Sequence, residues 1–454
     1  MRSGRSLLVL LVIAAGLGAY IYFVEMKRDP SGTDDKAKVF TVEADAITEI
    51  EVKVPTGTTT TLKKNGTTWT VTAPVAATAD ESMVSSITGA LATMEIDSVV
   101  EENATAFRPF GLEVPAVTVS FKTAADATPR AISLGEKVPA GTGTYARIEG
   151  QPRLFIVPSF HEDSLKKSTF DLRDKRLLTL AREDIDLVTV APKGSPAVSV
   201  SRKGAEWQIT SPLDARADFS PTDGLVSRLA LAQMTSVVSE GTAPSAAELK
   251  TYGLDNPALV ATVGAGSAKA VIALGSKKDD TSIYARDPNR AMVFTVEATL
   301  LTDLTKKPDD LRVKTVFEFQ AFSAVAIDLT RSGTTTSFTK AKPASATEAS
   351  APEIWSQTKP VAKEANQTAM ADLLNTLSSI RVERFVSAAP ASGDDLVVVA
   401  RFGDAASPRT ETVTLRKSGT TAYAIRAGDK DAGVIPTADY DKAISQLGAL
   451  TGAK

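Results

Sequence analysis

Apolar and polar residues alternate through residues 47–54. Ile50, Val52 and Val54 stand on one face, Glu51 and Lys53 on the other. That period of two predicts a β-strand with one buried face, and the run Val39-Phe40-Thr41-Val42 predicts another before it. Residues 58–62 and 69–72 are β-prone runs on either side of Lys64-Asn65-Gly66, and Asn-Gly in that setting predicts a hairpin turn. The period then changes. Met83, Val84, Ile87, Leu91 and Met94 recur at three- and four-residue spacing, which predicts a helix laying one apolar stripe on the sheet. Further strands are predicted at 96–100, 117–121, 131–134, 145–148 and 154–157. A turn falls at Phe110-Gly111-Leu112-Glu113-Val114-Pro115, and a short polar helix is predicted over 160–169.

The same succession returns twice. In the second copy residues 185–190 form the alternating strand, and Arg202-Lys203-Gly204 the hairpin tip. Leu225, Val226, Leu229 and Ala232 form the helical stripe. Ser220-Pro221 predicts the start of that helix, with proline at the first helical position. The turn Tyr252-Gly253-Leu254-Asp255-Asn256-Pro257 matches the one beginning at Phe110. Leu274-Gly275 matches Leu134-Gly135, and Tyr284-Ala285-Arg286 matches Tyr145-Ala146-Arg147. Leu311-Arg312-Val313-Lys314 matches Leu172-Arg173-Asp174-Lys175. In the third copy the stripe is Met370, Leu373, Leu374, Leu377 and Ile380, and a last helix is predicted over 439–450. Tyr423-Ala424-Ile425-Arg426 is a loose Tyr-Ala-Arg, the Gly-Leu-x-x-Pro turn is missing, and an Ala/Ser/Pro-rich insertion at 341–352 predicts a surface loop.

One motif fixes the register of the three copies. Trp-x-x-Thr-x-Pro occurs as Trp69, Thr72 and Pro74, as Trp207, Thr210 and Pro212, and as Trp355, Thr358 and Pro360. A short polar residue follows each at a constant offset: Asp80, Asp218 and Asn366. The three Trp are all that the chain has. Proline cannot donate to a ladder, so it ends the strand, and the Asp or Asn is placed to cap the helix. The units are read as 39–174, 175–314 and 315–454. The expected fold is α+β: three tandem repeats of an antiparallel sheet with one main covering helix, after an N-terminal transmembrane helix.

That helix rests on the run from Leu7 to Val24, apolar without a break and at the lower edge of the roughly 20 residues that span a bilayer. Tyr20, Tyr22 and Phe23 stand at its far end as an interfacial belt. Bulky residues occupy the place where a cleaved signal peptide needs small ones, so residues 1–28 read as a cytoplasmic stub with an uncleaved signal anchor, and 29–38 as a linker. The bulk of the chain is then expected outside the cytoplasm, on a bacterial inner membrane.

Composition removes chemistry. Among 454 residues there are no Cys and one His, and the net charge is −3. Thiol nucleophiles, Cys-based metal sites and multi-His sites are excluded, and no electrostatic footprint for nucleic acid exists. Gly141-Thr142-Gly143 and Gly264-Ala265-Gly266 lack the third glycine and the helix of a dinucleotide site. Asp429-Lys430-Asp431-Ala432-Gly433 lacks the distal Glu of a calcium loop and reads as a solvated turn. His161, beside Glu162 and Asp163, reads as a surface histidine at a helix start. Asp80 and Asp218 invite a paired-carboxylate reading, but the third copy has Asn366 there. Asn caps a helix and cannot serve as a general acid, so capping is preferred. The Trp residues read as core rather than as sugar platforms, and the Tyr/Arg pairs at offset two as a solvated strand edge rather than a groove. No catalytic, cofactor or metal residue is assigned, and no enzyme is expected.

Together, the apolar N-terminus, the Trp-x-x-Thr-x-Pro units, the Ala79-Asp80 and Ala217-Asp218 pairs, the Tyr252 to Pro257 turn and the Leu-Gly with Tyr-Ala-Arg pairing resemble an uncharacterised bacterial family, domain of unknown function 4340. The resemblance covers nearly all of the chain after the anchor and implies an envelope protein, often associated with gliding-motility-type ABC transporter components. The function expected is therefore a membrane-anchored accessory or scaffold acting through contacts with transporter subunits. The alternatives are a cell-wall polysaccharide-binding module and a hydrolase with an unidentified carboxylate pair.

Overall fold

The computed structural model describes residues 36–55, 57–342, 353–404 and 407–452. The run from Leu7 to Val24, most of the 29–38 linker and the insertion over 343–352 lie outside the described residues. Among those described, no helix is long and apolar enough to cross a membrane. The chain divides into two compact bodies after Lys175. The first holds one sheet and the second holds two.

The sheet of the first body is antiparallel throughout and has nine strands. They are β1 (Ile47–Lys53), β2 (Thr60–Asn65), β3 (Thr68–Ala73), β4 (Ala77–Thr78), β5 (Ser98–Glu101), β6 (Val117–Thr123), β7 (Arg130–Lys137), β8 (Gly143–Ile148) and β9 (Leu154–Pro158). Their order across the sheet is β4-β3-β2-β1-β6-β7-β8-β9-β5. The main helix, Glu81–Thr93, therefore leaves one edge of the sheet and delivers the chain to the other. Its 13 residues reach only about 20 Å, whereas nine flat strands at about 4.8 Å spacing would span about 38 Å. One core cluster takes residues from seven of the nine strands together with the helix, so the sheet curls around it. It does so over the predicted stripe: Val84, Ile87, Leu91 and Met94 are buried in one cluster with Ile50, Leu62, Val119 and Phe121.

Numbered within each copy, the nine strands of the second and third sheets follow the same order. Their main helices, Phe219–Ala230 and Gln367–Ser379, again join opposite edges. The architecture is thus mostly β, a triplicate of one nine-stranded antiparallel sheet wrapped on a helix.

Three local expectations are corrected. Residues 39–42 form no strand. The Val39 amide donates to the Met94 carbonyl at 2.9 Å and the Ile96 amide to Ala37 at 2.9 Å, so the segment is held beside the helix end instead of in the ladder. The polar helix expected over 160–169 is two short ones, Phe160–Leu165 and Thr169–Leu172. The second begins with a capping box between Ser168 and Asp171, which starts a new helix. The second main helix begins at Phe219 rather than Pro221, because Asp218 caps it; proline is tolerated there, since first-turn amides have no intrahelical partner. The last helix, expected over 439–450, is present as Thr437–Thr451, 15 residues where copies one and two break after six.

Candidate functional site

The motif residues occupy one geometry in all three copies. Each tryptophan lies on the third strand of its sheet with its indole enclosed: Trp69, Trp207 and Trp355 are 6, 4 and 7 % exposed. No indole face is open for a sugar ring. Each Trp carbonyl accepts from the amide of the alanine before the helix cap, Ala79, Ala217 or Ala365, at 3.0–3.1 Å. In copies one and three the first helical side chain closes the circuit. Glu81 accepts from the Trp69 amide at 2.7 Å and Gln367 from the Trp355 amide at 2.9 Å. Copy two has Phe219 there, exposed, and the Arg202 guanidinium lies over the Trp207 ring at 5.2 Å.

The threonines answer a backbone irregularity. Pairing between the second and third strands slips at Thr61/Leu62, at Ser199/Val200 and at Ser337/Phe338. The motif hydroxyl donates to the carbonyl beside the slip: Thr72 to Thr61, Thr210 to Ser199 and Thr358 to Ser337, at 3.3–3.4 Å. Each strand ends one residue before its proline, and Pro74, Pro212 and Pro360 all follow cis peptide bonds.

The polar residue after the motif caps the helix. Asp80 accepts from the amides of Ser82 and Met83 at 3.0 and 3.2 Å, Asp218 from Ser220 at 3.1 Å, and Asn366 from Ala369 at 3.1 Å. Burial works against the Asp80 carboxylate, but the Ser82 hydroxyl, the two amides and Lys175 outweigh it and hold its pKa below the ordinary value. The backbone of the cap is used too. Asp80 donates its amide to the Leu172 carbonyl at 2.9 Å, and Asp218 to Leu311 at 2.7 Å. The Leu-Arg-x-Lys segments are straps that extend the edge strand of their own sheet.

The turn and the Leu-Gly pair, separate in sequence, are one device. Gly111 and Gly253 have φ of 69° and 66°, a conformation open to glycine. A β-carbon on Gly135 would overlap the Phe110 carbonyl, and one on Gly275 the Tyr252 carbonyl. The aromatic of each turn then meets the strand tyrosine: Phe110 to Tyr145 at 4.9 Å and Tyr252 to Tyr284 at 4.6 Å between centroids. Arg147 stacks over Phe107 at 4.4 Å. Tyr145 and Tyr284 thus pack on small apolar clusters, and the strands that carry the Tyr/Arg pairs are interior strands of their sheets, not edges. The third copy lacks the turn and has Arg416 where the others have Gly, bonded to Asp395 and to the Pro390 carbonyl.

Two further readings change. His161 is buried, not superficial; it stacks on Phe160 with centroids 4.2 Å apart. Burial pushes its pKa down, against the pull of Asp97 and Glu95. Asp431 is no free turn carboxylate. It receives Arg312 at 2.8 Å, and that guanidinium lies 3.5 Å over the Phe385 ring, which joins the second copy to the third. Sequence reading missed a second polar junction in the same body. Buried Glu411 accepts from the amides of Glu318 and Phe319 at 3.0–3.1 Å and from Arg426 at 2.9 Å, and Glu318 takes Arg216 and Arg409. Among the described residues, no group of three or more His, Asp or Glu is placed to hold a metal ion.

No curated protein and no solved structure matches the chain. A family model described as Domain of unknown function (DUF4340) matches residues 69–206 and 207–396. Each match opens on a motif tryptophan, so the family unit is offset from the structural one, whose β1 and β2 precede Trp69. With most of its length matched, including all three Trp-x-x-Thr-x-Pro units, the chain belongs to the DUF4340 family.

Proposed function

We propose that the chain is a non-catalytic, membrane-anchored scaffold, displayed outside the cytoplasm, that holds subunits of a membrane complex through protein–protein contacts. One observation carries this reading: the repeated polar residues are spent on the chain's own backbone. Thr72, Thr210 and Thr358 satisfy carbonyls, and Asp80, Asp218 and Asn366 cap helices. A triplicated module whose recurrent residues are structural offers repeated surfaces without a reaction centre. The apolar run from Leu7 to Val24 supplies the anchor, and the family resemblance supplies an ABC-type transporter as the partner class. The test is crosslinking in intact membranes, with identification of the adducts. Transporter subunits are expected; recovery of this protein alone overturns the reading.

A further inference from the structure

The three copies differ at one edge. In copy one the strap bonds to the edge strand twice, Asp80 amide to Leu172 carbonyl and Asp174 amide to Thr78 carbonyl, both at 2.9 Å. Copy two repeats this: Asp218 to Leu311 at 2.7 Å and Val313 to Arg216 at 3.2 Å. Leu172 and Leu311 are fully buried. In copy three the equivalent groups are the Asn366 amide and the Glu364 carbonyl, and among the described residues no backbone group pairs with either. The edge strand Lys363–Glu364 is exposed.

Beside that edge lies a cleft of about 360 Å³, lined by Leu329, Thr336, Gln357, Pro360 and Leu447. Gln357 pairs with Phe338 as Val71 does with Leu62 and Ile209 with Val200. Copies one and two therefore carry a core aliphatic where copy three carries a buried amide. Gln357 is 5 % exposed, and its Oε1 has no partner. Thr336 takes the place of Thr60, which in copy one meets Thr169, at the head of the strap, at 2.6 Å. The edge and the cleft together are the seat that a strap fills in the other copies.

We propose that this seat binds an extended segment of a partner protein by strand addition. The segment carries an aliphatic residue in the place of Leu172 and Leu311. Its carbonyl accepts from Asn366, and its amide two residues on donates to Glu364, so that main-chain bonds give affinity and the pocket gives selectivity. The residues before it enter the cleft and satisfy Gln357. Charge separates this segment from the chain's own straps. Lys175 sits 3.7 Å from Asp80, but Asn366 offers no charge, and exposed Lys359 and Lys363 flank the edge. The seat therefore takes an acidic or neutral residue where the straps have lysine.

This inference rests on the scaffold reading and is tested apart from it. The probe is a fluorescein-labelled peptide with the sequence of residues 308–314, its last lysine replaced by glutamate. It is titrated with the full chain in detergent and followed by anisotropy. Saturable binding is expected, weakened about tenfold, the worth of one good contact, when the peptide leucine becomes aspartate or when the protein carries Asn366→Pro. Gln357→Val, which restores the residue found in copy one, keeps the fold and weakens the peptide as well. A flat titration, or one indifferent to the peptide leucine, overturns the docking site and leaves membrane crosslinking to decide the scaffold reading. Self-association that the peptide reverses would assign the seat to a second copy and overturn the partner.

Discussion

The carbonyl of Phe110 stands where a side chain on Gly135 would be. The turn presses its backbone directly onto β7, and Gly275 relates to Tyr252 in the same way. Gly135→Ala and Gly275→Ala should each lower stability by about 1–3 kcal/mol, the usual cost of overpacking a closed site. Thermal melts followed by circular dichroism check this. An unchanged midpoint in both would mean that the turn is not seated on the strand.

The motif was legible in the sequence because every copy needs it: a buried Trp, a Thr for the slipped carbonyl and a cap leave the same mark three times. The strand order was not legible. β4 is two residues long and β5 is exposed at all four positions, so neither shows the alternation that betrays a half-buried strand. His161 was misread because its neighbours Glu162 and Asp163 are polar, and only the fold encloses it. In residue types the open edge at Lys363–Glu364 is accompanied only by Gln357 and Asn366, which by themselves do not show an unpaired strand. It is visible only when the backbone bonds of three copies are compared.

Three enclosed indoles make a fluorescence prediction. With Trp69, Trp207 and Trp355 at most 7 % exposed, iodide should quench the native protein far less than the urea-unfolded chain. Soluble cell-wall glycans should leave the emission unchanged. Strong native quenching, or a glycan-dependent shift, would revive sugar stacking on these rings.

Asp80 and Asn366 do the same work with different charge, which separates capping from electrostatics. The folded-state pKa of Asp80 lies below its ordinary value, so the unfolded chain takes up the proton first as pH falls. The stabilisation is complete above the unfolded-state value near about 4 and is lost as pH drops through the lower folded value. Asp80→Asn should cost under about 1 kcal/mol at pH 7, since Asn caps nearly as well. That difference should close as the pH falls below both titrations. Urea midpoints of both proteins across that range give the answer, and a gap that widens in acid would contradict the assignment.

Glu411 is the most consequential carboxylate in the second body. Its side chain is 5 % exposed and holds two backbone amides and the Arg426 guanidinium. Removing one member of such a buried set strands the others, at about 3–5 kcal/mol. Glu411→Ala should therefore destabilise far more than Asp394→Ala, whose pair with Arg331 is about 40 % exposed on both sides and worth about 1 kcal/mol or less. Added salt should weaken the Arg331 pair and leave the Glu411 set nearly untouched, because screening acts on exposed charges. Removing Arg426 as well should recover part of the Glu411→Ala loss, since the stranded guanidinium goes with it, while the Glu318 and Phe319 amides stay unpaired. A double-mutant cycle by urea denaturation measures that coupling. A coupling near zero would show that the carboxylate serves the amides alone, and the guanidinium would then belong to its other contacts, Glu318 and the Val316 carbonyl.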